Sequence, residues 1–182
     1  MRQPVTLTRL QEFMKALGTR ATIPGRVYLV GGATAVLLGW RDSTIDLDLK
    51  IIPEIDEIFR SLPALKERFQ MNIELASPDH FIPELPGWQE RSRFIQQEGK
   101  LVFLHYDFYA QALAKIERGH TLDQQDVHEM IQRGLVKPQR LLELFTAVEG
   151  QLYRYPALDG PSFRSAVERV VGETEADSIR TG

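Results

Sequence analysis

The sequence predicts a mixed α/β (α+β) fold: a small mixed β-sheet flanked by helices, followed by a C-terminal helical subdomain. Three patterns carry this. Apolar residues recur at period two across Ile45–Ile52 and again across Phe69–Leu75, the mark of half-buried strands. Between Leu7 and Leu17 they recur at helical spacing, as Leu7, Leu10, Phe13, Met14 and Leu17. From Asp107 onward only helical spacing remains.

In chain order, the first helix covers 7–17 and Gly18 ends it. Pro24-Gly25 is a turn, and Arg26–Val30 is a β-rich run. Gly31-Gly32 breaks that strand and ATAVLLG reads as a short helix. After the turn at 40–44, Ile45, Leu47, Leu49 and Ile51 fall on one strand face, with Asp46, Asp48 and Lys50 on the other. Pro53–Phe69 reads as a helix interrupted near Leu62-Pro63. The strand at 69–75 follows, then a proline-rich loop at 77–87, and a strand at Lys100–Tyr106 after the Glu98-Gly99-Lys100 turn. Helices are expected near 108–118, 123–133, 138–150 and 161–171. The expected organisation is therefore an α/β core over 1–106, a helical subdomain over 107–171 packed on it, and a polar, flexible tail over 172–182.

Composition narrows the function. The chain has 182 residues, 43% hydrophobic and 26% charged, a soluble globular composition. A net charge of −3 argues against non-specific coating of nucleic acid, which needs a basic face. There is no cysteine, hence no disulfide framework, no thiolate chemistry and no zinc–cysteine site. His80, His105, His120 and His128 show no paired spacing, so a zinc site is not expected. No run of about 18 apolar residues is present, and the N-terminus lacks the apolar segment of a signal peptide. The expected location is cytoplasmic.

The chemistry concentrates in VYLVGGATAVLLGWRDSTIDLDLKI, Val27 to Ile51. Residues i and i+2 of a strand project the same way, about 7 Å apart. Asp46 and Asp48 therefore form a pair of like charges, unfavourable unless a cation lies between them or one takes a proton. Oxygen ligands so placed suit Mg²⁺, which shares its remaining positions with water and substrate phosphates. At Gly31-Gly32 the bare backbone can approach a ligand closely, and backbone N–H groups at a helix start favour phosphate. The simpler readings stay open: a tight strand-to-helix turn, a charged strand face guarding an edge, and neutralisation of the pair by Lys50 without metal.

The apolar strand, Gly31-Gly32, thirteen intervening residues and then Asp46-Leu47-Asp48-Leu49 resemble the hG[G/S]…Dh[D/E]h signature of the DNA polymerase β-type nucleotidyltransferase superfamily. Within it the chain is most similar to the small bacterial AbiEii-like and DUF6036-like nucleotidyltransferases. Residues 114–126 are similar to that branch's K-x-x-x-R…D-x-x-D helical motif. The likeness spans roughly residues 25–150. It implies a nucleotidyltransferase (transferase) core that moves an NMP from an NTP such as ATP, with Mg²⁺ (or Mn²⁺) as cofactor. It implies that Gly31 and Gly32 hold phosphates and that Asp46 and Asp48 bind metal. Two metal ions are implied, both held by Asp46 and Asp48, and Glu74 would be the third carboxylate, a metal ligand that completes the second site and polarises the acceptor hydroxyl, with Asp107 as rival. Lys115 would meet the triphosphate, Asp123 or Asp126 would orient it, and Arg41 and Ser43 would flank the pair. Here the third position is Glu where Asp is common, and Leu122 stands where relatives often carry Arg. The acceptor would be an RNA or tRNA 3′ end or a protein hydroxyl. A toxin role beside a cognate antitoxin is also implied. Two rival readings are a catalytically silent module that binds a nucleotide or partner, and a structural partner or antitoxin. Asp123 alone reads equally as a helix N-cap, and Trp88, near Arg91 and Arg93, as core or as a cover for a nucleotide or RNA.

Overall fold

The computed structural model describes residues 1–181 and has the mixed α/β architecture expected. The chain falls into two compact units, one of Met1–Ser77 with Ser92–Tyr106, the other of Pro78–Arg91 with the chain from Asp107 on. Residues 78–91, expected in the α/β core, thus belong with the helices.

The first unit contains β1 (Val5–Thr6), α1 (Leu7–Gly18), β2 (Gly25–Val30), α2 (Gly32–Leu38), β3 (Ser43–Thr44), β4 (Asp46–Ile52), α3 (Asp56–Phe69) and β5 (Asn72–Glu74). After the excursion through α4 (Trp88–Arg91) it resumes with β6 (Arg93–Glu98) and β7 (Leu101–His105). The main sheet has strand order β5-β4-β2-β7-β6. β4 runs antiparallel to β2 and parallel to β5, while β7 runs parallel to β2 and antiparallel to β6. One face of the sheet presents Val27, Leu29, Leu47, Leu49, Ile73 and Phe103 to a core shared with α1 and α3. α1 contributes Leu10, Phe13, Met14 and Leu17 to that core, the i, i+3, i+4, i+7 stripe of an amphipathic helix.

Several boundaries move. Ile45 lies outside β4 and is 71% exposed, so the buried alternation begins at Leu47. Phe69 closes α3, leaving β5 only three residues long. β1, β3 and β6 were not anticipated. The first two are two-residue strands paired with each other. β6 pairs only with β7 at the sheet edge, so its polar sequence needs no continuous apolar face. Most notably, α3 runs unbroken through Pro63. An interior proline costs about 3 kcal/mol. Burying Ile58, Leu62, Leu65 and Phe69 on the core returns about 1.5–3 kcal/mol each, so tertiary packing outweighs the local break.

The second unit contains α4, α5 (Phe108–Arg118), α6 (Thr121–Gln132), α7 (Pro138–Glu149) and α8 (Gly160–Thr181). α5 is its central helix, buried at Phe108, Ala110, Ala112, Leu113 and Ile116 and touching α6, α7 and α8. Residues 78–91 join this unit through specific bonds. Arg91 Nε and Nη2 donate to Asp107 Oδ1 and Oδ2 at 3.1 and 2.7 Å, and Tyr155 Oη donates to Asp79 O at 2.9 Å. Trp88 is 4% exposed, a core side chain rather than a cover for a ligand. α8 extends past residue 171, where the helix was expected to end. Its continuation places Thr174 to donate to Val170 O, and Gln139 on α7 donates to Glu175.

Pro63 itself is exposed. Pro63→Ala restores a helical N–H without disturbing the core, and should raise stability by about 1–2 kcal/mol after the unfolded chain's gain in freedom is deducted. The check is the urea midpoint of the two proteins at unchanged m.

Candidate functional site

The acid pair stands where strand parity puts it. β4 alternates half-buried Asp46, Asp48 and Lys50 with buried Leu47, Leu49 and Ile51. Its partner β2 ends at Val30, directly opposite Asp48. The chain then turns through Gly31 at φ 64°, in the left-handed region that glycine enters without penalty. A Cβ there would stand 3.5 Å from Asp48 Oδ2. The turn and the carboxylate are therefore neighbours across one strand pair. Gly32 has a different reason. A Cβ would fall 2.0 Å from Thr44 Oγ1, so this glycine admits β3 against the start of α2. Arg41 precedes β3 and Ser43 opens it, both half-buried.

Glu74 reaches the same face from β5, in register with Asp48, while Asn72 is in register with Asp46. One amide ties this edge together: Asn72 Nδ2 donates to Asp46 Oδ1 at 2.5 Å and to Glu74 Oε1 at 2.8 Å. Arg2 in turn donates to Asn72 Oδ1. Asn72 was not anticipated, although it occupies the polar phase of the same alternation as Glu74. The rival third carboxylate, Asp107, is otherwise engaged. It is buried, caps α5 by accepting from Tyr109 N, and holds Arg91.

Among the described residues no three His, Asp or Glu side chains form a group that could hold a metal ion. The acid pair still fits Mg²⁺. Its donors are hard oxygens, it is only half-buried, and Mg²⁺ is ordinarily held by one or two carboxylates plus phosphate oxygens rather than by a protein cage.

Lys115, Asp123 and Asp126 lie in the second unit, and the structure brings them together with one another. Lys115, expected to meet a triphosphate, is buried on α5 and donates to Asp126 Oδ2 at 2.7 Å and to Asp123 Oδ1 at 3.3 Å. Arg118 grips Asp123 with two further bonds, at 2.7 and 2.6 Å. Burial pushes the Asp123 carboxyl up, but the bonds and charges of Arg118 and Lys115 outweigh this and hold it below the usual carboxylate range. Asp123 is not the N-cap of α6: His120 takes that position, and Asp123 sits in the first turn, where the helix dipole also favours a carboxylate.

His105, at the end of β7, is buried and lies 3.2 Å from Thr34 Oγ1 on α2 through Nδ1. Burial, reinforced by the positive charge of Arg93, pushes the imidazole down to about 4.

A family model described as a nucleotidyltransferase of unknown function (DUF6036) matches residues 5–159. No curated protein matches the chain, and no solved structure does.

Two outcomes follow from these buried groups. Lys115→Met takes an ammonium away from two buried carboxylates, Asp123 and Asp126, and should destabilise the fold by about 3–5 kcal/mol, read from urea unfolding. His105 binds a proton less readily folded than unfolded. Its stabilising effect is thus complete above about pH 6.5 and is lost as pH falls toward 4, by at most about 3 kcal/mol. His105→Phe should flatten the wild-type loss of melting temperature across that window, compared by calorimetry.

Proposed function

The chain belongs to the DUF6036 family of nucleotidyltransferases of unknown function, and from this we propose that it transfers an NMP from an NTP to a hydroxyl in a Mg²⁺-dependent reaction. In that reaction a bond forms between the acceptor oxygen and the α-phosphorus, the bond to pyrophosphate breaks, and the proton of the acceptor hydroxyl passes to solvent water. The observation that supports the reading best is the Gly31 turn set against the Asp48 carboxylate, with Asp46 beside it on the same strand face.

In this reading Asp46 and Asp48 hold the cation, Mg²⁺ or Mn²⁺. Bound there, it would offset the charge of the triphosphate and polarise the attacking hydroxyl. The backbone around Gly31 and Gly32 takes the phosphates, with Arg41 and Ser43 flanking them. Glu74, exposed one strand away, orients the acceptor hydroxyl once it is released from Asn72. Lys115, Asp123 and Asp126 are assigned to holding α5 on α6, the role their mutual bonds support. The proposed acceptors are an RNA or tRNA 3′ end or a protein hydroxyl. By the resemblance to AbiEii-like proteins, transfer would make the protein the toxin of a toxin–antitoxin pair. Expression of active protein should then arrest growth, and harmless wild-type protein that labels nothing would end the toxin proposal.

One observation favours a second reading, a catalytically silent binding module. Glu74 is bonded to Asn72, and among the described residues no three His, Asp or Glu form a group that could hold a metal ion. The two readings separate by thermal unfolding with Mg²⁺ and each NTP, for wild type and the Asp46→Asn/Asp48→Asn double variant. At about 100 times Kd a ligand stabilises by about 2.7 kcal/mol, a shift of several degrees at this chain length. The expected result is a metal-dependent shift, lost in the double variant, followed by transfer of label from an α-labelled NTP. A shift without transfer would favour the silent module. No shift with any NTP would overturn the nucleotide site.

A further inference from the structure

A buried side chain restrains the Gly31-Gly32 turn from inside the fold. Thr34 is fully buried on α2. Its hydroxyl lies 3.4 Å from Leu29 O, the carbonyl two residues before the first glycine, and 3.2 Å from His105 Nδ1. The contact to Leu29 closes a small ring of chain through Val30, Gly31, Gly32 and Ala33. His105 is paired with Leu29 in the β2–β7 register, so the imidazole ties this ring to the neighbouring strand. Leu29 O also accepts from Tyr106 N at 2.9 Å, so the strand end carrying the ring is itself anchored.

Such a restraint has a physical purpose here. Two consecutive glycines lose more backbone freedom on ordering than any other pair. α2 is only seven residues long, too short to hold its own first turn by helix propagation. Yet Gly31 must keep its left-handed conformation for the turn to face Asp48. A buried hydroxyl on the helix side of the turn, in contact with Leu29 O on the strand side and with His105 on β7, adds to the single backbone bond from Ala35 N to Gly31 O.

We propose that Thr34, backed by His105, is a positioning residue that holds the Gly31-Gly32 turn in the conformation facing Asp48. Its consequence for ligand affinity rests on the reading of that turn as the phosphate site; the restraint itself does not.

The experiment has two arms, amide hydrogen exchange without ligand and Mg²⁺·ATP affinity, applied to wild type, Thr34→Val, Thr34→Ser and His105→Phe. Ile58→Val on α3 serves as a control for general loosening of the same unit. Thr34→Val keeps shape but removes the hydroxyl, and loss of one buried hydrogen bond corresponds to about five- to tenfold. Exchange at Ala35, whose N–H donates to Gly31 O at 3.3 Å, should speed by about that factor in Thr34→Val and His105→Phe. It should stay near wild type in Thr34→Ser and Ile58→Val. The ATP Kd should weaken by a similar factor in the same two variants and recover in Thr34→Ser. If Thr34→Val does not fold, His105→Phe carries both arms. Unchanged exchange at Ala35, or equal acceleration in Ile58→Val, would overturn the proposal. So would a loosened turn with unaltered ATP affinity, provided wild type binds. If wild type binds no nucleotide but the exchange pattern holds, the nucleotide reading fails and the restraint stands.

Discussion

The antiparallel pairing of β2 with β4 is the constraint on which the candidate site depends. Val30 lies opposite Asp48 in this register, so the strand that ends in Gly31 delivers its turn to the strand that carries the acid pair. The same register places Leu29 and Leu49 together on the core face. A slip of one residue would send Asp46 and Asp48 into the core and Leu47 and Leu49 out of it. The aliphatic side chains of β4 thus hold the aspartates in place as firmly as any direct contact does.

The two units handle charge in different ways. In the helical unit, Lys115, Asp123 and Asp126 are buried and satisfy one another, with Arg118 completing the set. Buried charges without partners would cost several kcal/mol each, so their mutual bonds explain why these residue types can sit there at all. In the sheet unit, Asp46 and Asp48 are left half-buried. The amide that reaches Asp46 comes from Asn72, a neutral group. A neutral donor orients a carboxylate without cancelling its charge, which leaves that charge available to a cation. Half-buried carboxylates can be reached by a ligand and fully buried ones cannot, which is the physical reason to look for chemistry at β4 rather than between α5 and α6.

Local rules and tertiary packing conflict at identifiable places. Pro63 should end a helix, yet α3 continues because four of its apolar side chains enter the core. Gly31 and Gly32 look equivalent as a dipeptide. The first is required by a positive φ and the second by the approach of Thr44. The polar segment 93–98 reads as nothing in particular, yet it forms a strand because β7 offers it an open edge.

The sequence by itself determined the class of the fold, the phase of β4, the break at Gly31-Gly32 and the pairing of Asp46 with Asp48 on one face. All of these are periodic or short-range features, in which each residue's direction follows from its immediate neighbours. Only the tertiary structure decided which strands became neighbours, and so which distant residues met. Glu74 stands beside Asp48 because β5 pairs with β4. Asp107 leaves the contest for third carboxylate because Arg91 reaches it from a segment that sequence reading assigned to the core. Lys115 is buried because α6 folds back on α5. The hydroxyl of Thr34 meets His105, seventy-one residues on, because β7 lies against β2. Periodicity records which way a side chain points; what it meets there depends on pairings between segments far apart in the chain, and these leave no local trace.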